Sequence, residues 1–312
     1  MRGLLRLTLL ALLTVLAFPS KGAEIRCLNY ADNNNLKTSC LMAYIEGQIV
    51  SGDYSRFENF YRVNHPYLSG IALNSSGGDE YEAMAIGRLL RRYYIEVIAP
   101  WHGHQQSLFS DAHLCEGEKC VCAGSCALIW FGSPTRTGEV GLHRPNMGLG
   151  FRDLSPVEAE KRYKPILSSI THYLEEMEVP KTFIEAMVST SSSETYWTDA
   201  FRDYELLSRS PSYAEWLHAN CGQFGEESEF KELFLLKQKG ESSNLSQSEK
   251  RLIALLGQRK AERSNCEVGV VLNYKIKLEP PQKETAENPS EREKAKQYPA
   301  KKGIPHTEID GK

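Results

Sequence analysis

The chain has 312 residues, 41% of them apolar, and its 37 Lys and Arg against 40 Asp and Glu leave a formal net charge of −3. That length exceeds one ordinary domain and is ample for a sizeable core. The near balance of charge, with no basic block in the core, lacks the electrostatic footprint of a nucleic-acid binder, so no nucleic-acid partner is expected.

Residues 1–22 start with Arg2 and Arg6, run through a Leu-rich stretch from Leu4 to Phe18 and end in Pro19-Ser20-Lys21-Gly22. A basic start, a short apolar run and small residues at its end form the layout of a secretory signal peptide. The mature chain is expected to begin near Ala23 in an exported, periplasmic setting; retention of the segment as an anchor is the alternative. All eight cysteines lie beyond it, at Cys27, Cys40, Cys115, Cys120, Cys122, Cys126, Cys221 and Cys266. An even count in an exported chain favours disulfides over free thiols. Their spacing suggests Cys27 with Cys40, the central four among themselves, and Cys221 with Cys266. A zinc site from the central four is disfavoured, because Cys-x4-Cys-x-Cys-x3-Cys is not a usual zinc spacing, and no metal is expected.

From Leu41 to Val50 the run LMAYIEGQIV has the apolar, partly alternating character of a buried strand, and SGDYSRFENFYRV then turns helical. Ser69 to Leu73 is the next strand, Tyr81 to Arg92 the next helix, and Tyr94 to Ala99 a third strand. Strands alternating with helices imply an α/β fold with parallel pairing. The polar stretch Pro100 to Glu118 follows, with His102, His104, His113 and Cys115; it lacks a third ligand at fixed spacing and reads as a solvated loop.

Three short signals then fall in order. Leu73 to Arg92, LNSSGGDEYEAMAIGRLLRR, is a strand end, a Gly-Gly turn and an amphipathic helix. Cys122 to Pro134, CAGSCALIWFGSP, is a second turn carrying a serine into an apolar helix. Gly138 to Pro145, GEVGLHRP, is a short strand ending in a histidine. A double glycine lets backbone N–H groups approach a substrate carbonyl, a serine at a helix start is a candidate nucleophile, and histidine is the usual base.

Farther on, Ser155-Pro156-Val157-Glu158 spells a capping box with Pro at the first helical position. The helix it opens contains Pro165, and a second helix covers Lys181 to Val188. ETYWTDAFRDYELL, 194–207, reads as an edge strand and the helix behind it. Residues 211–277 read as an appendage stapled by Cys221 and Cys266, with a capped helix over 246–266 and a final strand from Val268 to Ile276. Beyond Leu278 the Pro, Glu, Lys and Gln content predicts a disordered tail.

The order of the three signals resembles the Clp protease proteolytic subunit and the wider crotonase superfamily, in particular exported members whose serine turn is bracketed by cysteines. The resemblance covers roughly 40–210. It implies a crotonase-like spiral of ββα units with parallel sheets, spanning 23–210, with the small C-terminal appendage outside it. It also implies that His143 is the base, that Gly77 and Gly78 line an oxyanion hole, and that the N–H of Ser125 or Cys126 completes it. Glu194 falls near the orienting acid, with Asp199 as alternate. In the family's turn, usually Cys-Ala-Ser-Ala-Cys or Cys-Ala-Ser-Ser-Cys, the nucleophile is the middle residue. Here the middle residue is Gly124, and Ser125 comes one place later. Ser76 likewise stands where the family has a proline.

Two functional readings follow. One is an exported serine peptidase or hydrolase with Ser125, His143 and Glu194 as its catalytic set, acting on peptides without an ATPase partner. The other is an inactive relative that binds a peptide, an acyl ligand or a protein partner. Coenzyme A thioesters are not expected outside the cytoplasm, no cofactor is implied, and a homo-oligomer is the family's habit.

Overall fold

The computed structural model describes residues 22–30, 39–101, 120–147, 151–199, 202–222, 232, 235–236 and 245–281. The signal-like segment up to residue 21, the loop holding His102, His104, His113 and Cys115, and the expected tail beyond 281 lie outside the described residues.

Strands β1 (Glu24–Tyr30), β2 (Cys40–Glu46), β3 (Gly70–Asn74), β4 (Glu96–Ile98) and β5 (Arg136–Thr137) lie side by side in that order. β1 is antiparallel to β2, and the Cys27–Cys40 disulfide ties the two together. From β2 to β5 the pairing is parallel. Every residue of β3 is buried, which is why GIALN shows no polar alternation.

Helices α1 (Asp53–Asn64), α2 (Glu80–Arg92) and α3 (Ser125–Gly132) each follow a main strand after a short bridge in a second layer. Those bridges are parallel and join Ile49 to Gly78, Ser75 to Cys122, and Ala123 to Gly141. Three successive turns of chain therefore read main strand, minor bridge, helix. This is the parallel α/β arrangement that the alternation predicts, wound as the spiral of ββα units that the resemblance implies.

The remaining elements close the structure. β6 (Gly141–Leu142) pairs antiparallel with β7 (Tyr196–Trp197), and between them run α4 (Pro156–Glu176) and α5 (Lys181–Ser189). The capping box at Ser155 forms as its sequence predicts, with both reciprocal bonds to Glu158 present. α6 (Tyr204–Leu207), α7 (Pro211–Cys221) and α8 (Gln247–Lys277) complete the described chain. No helix among the described residues is long and apolar enough to cross a membrane.

Two buried carboxylates set the start of α1. Glu82, on α2, accepts from Gly52 N–H at 3.0 Å and Tyr54 N–H at 2.8 Å. Asp53 accepts from Val50 N–H at 2.9 Å and Ala23 N–H at 3.1 Å. Glu82 thus serves unpaired backbone donors of the helix N-terminus, where negative charge is favoured, while Asp53 ties the first helical residue to the chain ahead of it and to Ala23.

The C-terminal segment departs from expectation. Val268 to Ile276 is not a strand but the last third of α8, a single 31-residue helix. The strand edge beside β5 is taken by the Thr135–Arg209 bridge, and the run continues the helix instead. The helix is instead fixed along its length. Cys221–Cys266 ties it to α7, closing a sequence separation of 45 residues for about 4 kcal/mol in the chain-entropy account. Glu267 takes both Arg263 and Arg209. Tyr274 stands edge-on to Tyr94 and Trp216, with ring centroids 5.2 and 5.8 Å away.

One contact in this seam is costly. Lys275 is 2% exposed, and its Nζ donates to Leu68 O at 2.5 Å. Burial pushes its pKa from 10.5 down to about 8. The unfolded chain therefore holds more protons than the folded one between these values, and stability contributed by this site rises with pH across that window. Lys275→Met is expected to raise the unfolding free energy at pH 7 by about 1–2 kcal/mol, since an apolar side chain replaces a buried charge. The gain should shrink above pH 8; urea unfolding of both proteins at pH 7 and pH 9.5 measures it.

Candidate functional site

The second ββα turn delivers the Gly77-Gly78 segment and the third delivers the 122–126 turn, so the minor layer brings them together. Ser75 N–H donates to Val121 O at 2.7 Å and Ala123 N–H returns to Ser75 O at 3.1 Å. On the other side, Gly124 N–H donates to Gly141 O at 3.0 Å and Gly141 N–H to Cys122 O at 2.8 Å. The Cys122–Cys126 disulfide closes the turn, with Cα atoms 5.3 Å apart. Cys120 is also disulfide-bonded.

Gly124 is the N-cap of α3, at φ 59° and ψ −125°. A residue with a side chain is strained there, and glycine is not. A Cβ at position 124 would lie 3.0 Å from both Cε1 and Nε2 of His143. Position 124, and not 125, is therefore the one whose side chain would face the histidine.

Ser125 points elsewhere. It is 6% exposed, and its Oγ has no hydrogen-bond partner among the described residues, His143 included. A Cβ on Gly77 would meet Ser125 N at 3.0 Å and Ser125 Oγ at 3.2 Å, so the serine faces the glycine turn.

His143 follows β6 directly and is half-buried. Its Nδ1 lies 3.0 Å from Arg144 O, a contact that needs a proton on Nδ1, so in the neutral ring Nε2 is the acceptor toward Gly124. Arg144 N–H is itself anchored on Thr190 O at 3.1 Å. A backbone carbonyl thus orients the ring. Glu194 is exposed, and its backbone N–H donates to Ser191 O at 3.0 Å. No hydrogen bond joins it to His143 among the described residues. Asp199 accepts from Arg202 N–H at 2.8 Å in a local turn.

The backbone donors sort themselves. Gly77 N–H is committed to Ser75 Oγ at 3.1 Å. Cys126 N–H, expected as the second oxyanion donor, is committed to Ala123 O at 3.1 Å, because the turn closes on itself as the helix starts. Ile49 N–H donates to Gly77 O and Asp79 N–H to Ile49 O, a parallel-bridge pattern that turns the N–H of Gly78 away from Ile49. Gly78 N–H and Ser125 N–H are left without an acceptor among the described residues, on segments that touch at Gly77.

The far end of α3 adds charge. Phe131 O accepts from Arg136 Nη1 at 3.2 Å, and Gly132 O from Arg91 Nε at 3.1 Å. Arg136 is 1% exposed; burial, with a smaller push from Arg91, brings its pKa down to about 9, so it stays cationic at neutral pH. Two guanidinium groups offset the negative pole of a helix whose positive pole opens beside Gly124. No local pattern announces this pair, since one arginine comes from α2 and the other from the strand after the helix. Among the described residues no group of three or more His, Cys, Asp or Glu is placed to hold a metal ion.

No protein-family model and no curated protein matches the chain. Among solved structures it is similar to a variant of the 1510-N membrane-bound stomatin-specific protease, at 17% identity and a TM-score of 0.37, over 58% of this chain and 83% of that one. It is also similar to a protein described as an enoyl-CoA hydratase from Rhodopseudomonas palustris CGA009, at 10% identity and a TM-score of 0.26, over 76% of this chain and 93% of that one. What the residues can do follows from their own geometry: two backbone N–H groups without an acceptor among the described residues, an imidazole facing position 124, and a serine hydroxyl turned toward Gly77 instead of the imidazole.

Gly78 is where this geometry is least tolerant. Its φ is +145°, and a Cβ there would fall 1.9 Å from Ile49 O. Gly78→Ala is expected to cost about 3 kcal/mol or more in urea unfolding. Gly222→Ala, at φ +73° with nothing within 4 Å, is the control and should cost only about 1–2 kcal/mol.

Proposed function

We propose that this chain is an exported relative of the Clp protease and crotonase group that binds the carbonyl of a peptide or acyl ligand without forming an acyl-enzyme through serine. The observation that carries the reading is the direction of position 124. A nucleophile needs its oxygen within hydrogen-bond reach of the base, and the residue aimed at His143 Nε2 is a glycine. Ser125, the hydroxyl nearest in sequence, has an Oγ with no hydrogen-bond partner among the described residues and packs toward Gly77.

The backbone donors support the carbonyl-binding part of the reading. Gly78 and Ser125 N–H groups, at the positive end of a buried helix, suit an oxygen that carries partial negative charge. The cations at the other end of α3 support the same polarity. No ATPase partner is part of this reading, and a homo-oligomer is compatible with it.

The test is a fluorophosphonate probe followed by mass spectrometry. The natural protein should remain unlabelled, and Ser125→Ala should change nothing. Gly124→Ser should gain a slow adduct at position 124, because the half-buried His143 ring needs to give only a few tenths of an ångström to admit the new side chain. An adduct on Ser125 in the natural protein would restore the serine-hydrolase reading and sink this one.

A further inference from the structure

The start of α1 holds a carboxylate whose partners point to a processing event. Ala23 is 1% exposed, and its backbone nitrogen lies 3.1 Å from Asp53 Oδ2. Asp53 is also 1% exposed. The same oxygen takes Val50 N–H at 2.9 Å, while Oδ1 is ion-paired with Arg56, whose side chain is 49% exposed. The residue before Ala23 is as confined: a Cβ on Gly22 would run into the side chains of Arg56, Asp53 and Val50. A side chain there would have to displace Arg56 and crowd Asp53 and Val50, and a small residue is also what a signal-peptide cleavage site has at that place.

We propose that Ala23 is the first residue of the mature protein and that its new α-ammonium group is captured by Asp53 as a buried ion pair. Hydrolysis of the Gly22–Ala23 peptide bond consumes one water. The carbonyl carbon takes the hydroxyl and leaves as the carboxylate of residues 1–22, and the freed amine of Ala23 is protonated at neutral pH. An amide N–H that donates to a buried carboxylate becomes an ammonium that does so with full charge, at a position already set by the fold.

The pair lies one step from the candidate site. Asp53 holds Val50, and its neighbour Ile49 gives its N–H to Gly77 O at 3.0 Å and takes Asp79 N–H at 2.9 Å. Those two bonds aim the Gly78 N–H. Maturation at the N-terminus therefore tightens the turn that carries one of the two carbonyl donors. This last consequence rests on the proposed carbonyl site; the ion pair does not.

The test begins with the full chain, exported into a bacterial periplasm and sequenced from its N-terminus, where Ala23 is expected first. Proteins starting at Ala23 and at Gly22, each released from a cleavable fusion, are then compared with and without Asp53→Asn. The extra glycine should lower Tm by roughly 3–6 °C, and Asp53→Asn should abolish that difference. Should Asp53→Asn fail to fold, acylation of the α-amino group in the unmutated protein decides: at neutral pH it should be about tenfold slower folded than in urea, as expected for a paired ammonium. A mature start at any residue other than Ala23, a Gly22 extension that leaves Tm unchanged, or equal acylation rates folded and unfolded would each overturn the proposal. None of these readouts involves a ligand, so they stand or fall apart from the carbonyl-binding reading.

Discussion

The fold's functional geometry depends on how the start of α3 is suspended. Four backbone hydrogen bonds, two to the segment at Ser75 and two to Gly141, hold residues 121–124 between neighbouring turns of the spiral. A chain so held cannot relax its dihedrals independently, and Gly124 keeps a conformation that a free turn would abandon. The disulfide from Cys122 to Cys126 closes the same five residues covalently, with both sulfurs buried. His143 enters the site because β6, the strand that suspends Gly124, ends one residue before it. The glycine turn enters because Ser75 precedes it by two. Site and scaffold are one set of hydrogen bonds.

Buried charge follows a common rule in this molecule. Asp53 and Glu82 receive backbone N–H groups at the start of α1, Arg91 and Arg136 meet backbone carbonyls at the end of α3, and Lys275 meets the carbonyl of Leu68. In each case the ionised group satisfies a backbone dipole that the fold would otherwise leave unpaired. The first two cases add favourable helix electrostatics, because acid sits at a helix start and base at a helix end. Lys275, in the last turn of α8, also stands at a helix end, but its ammonium reaches out to a carbonyl beyond α1 and burial still lowers its pKa.

Much of the architecture is legible in the sequence because its signals are local. LMAYIEGQIV, SGIAL and YIEVIA are apolar runs of strand length bounded by turns, and each yields a parallel strand of the main sheet. Ser155 and Glu158 spell a cap that depends on four consecutive residues. The cysteine groups at 27 and 40, and at 221 and 266, pair as their spacing suggests. Where the sequence misleads, the deciding term is distant. VGVVLNYKI has strand-like composition, yet whether it pairs depends on a free sheet edge, and Arg209 from another element has occupied the edge beside β5. The candidate site divides the same way. Glycines and a strand-end histidine stand out by type and order. Which way residue 125 points is set by a single helix-start rotation, and that rotation is fixed by bonds to Ser75 and Gly141 far away in the chain.

The glycine at 124 also says something about the physics of the turn itself. A side chain there would pay for a strained backbone with φ at +59°, and would press on the imidazole at 3.0 Å. Removing it relieves both and lets His143 close against the turn, with its ring held from behind by Arg144 O. The oxyanion half needs no such repayment, because its N–H groups belong to a glycine locked by the Ile49 bridge and to the first residue of a helix. A glycine at 124 is therefore the locally favoured residue, while a side chain at Gly78 would break the minor layer. The two glycines differ in what they protect: one spares a strained turn and an imidazole, the other the bridge that joins two units of the spiral.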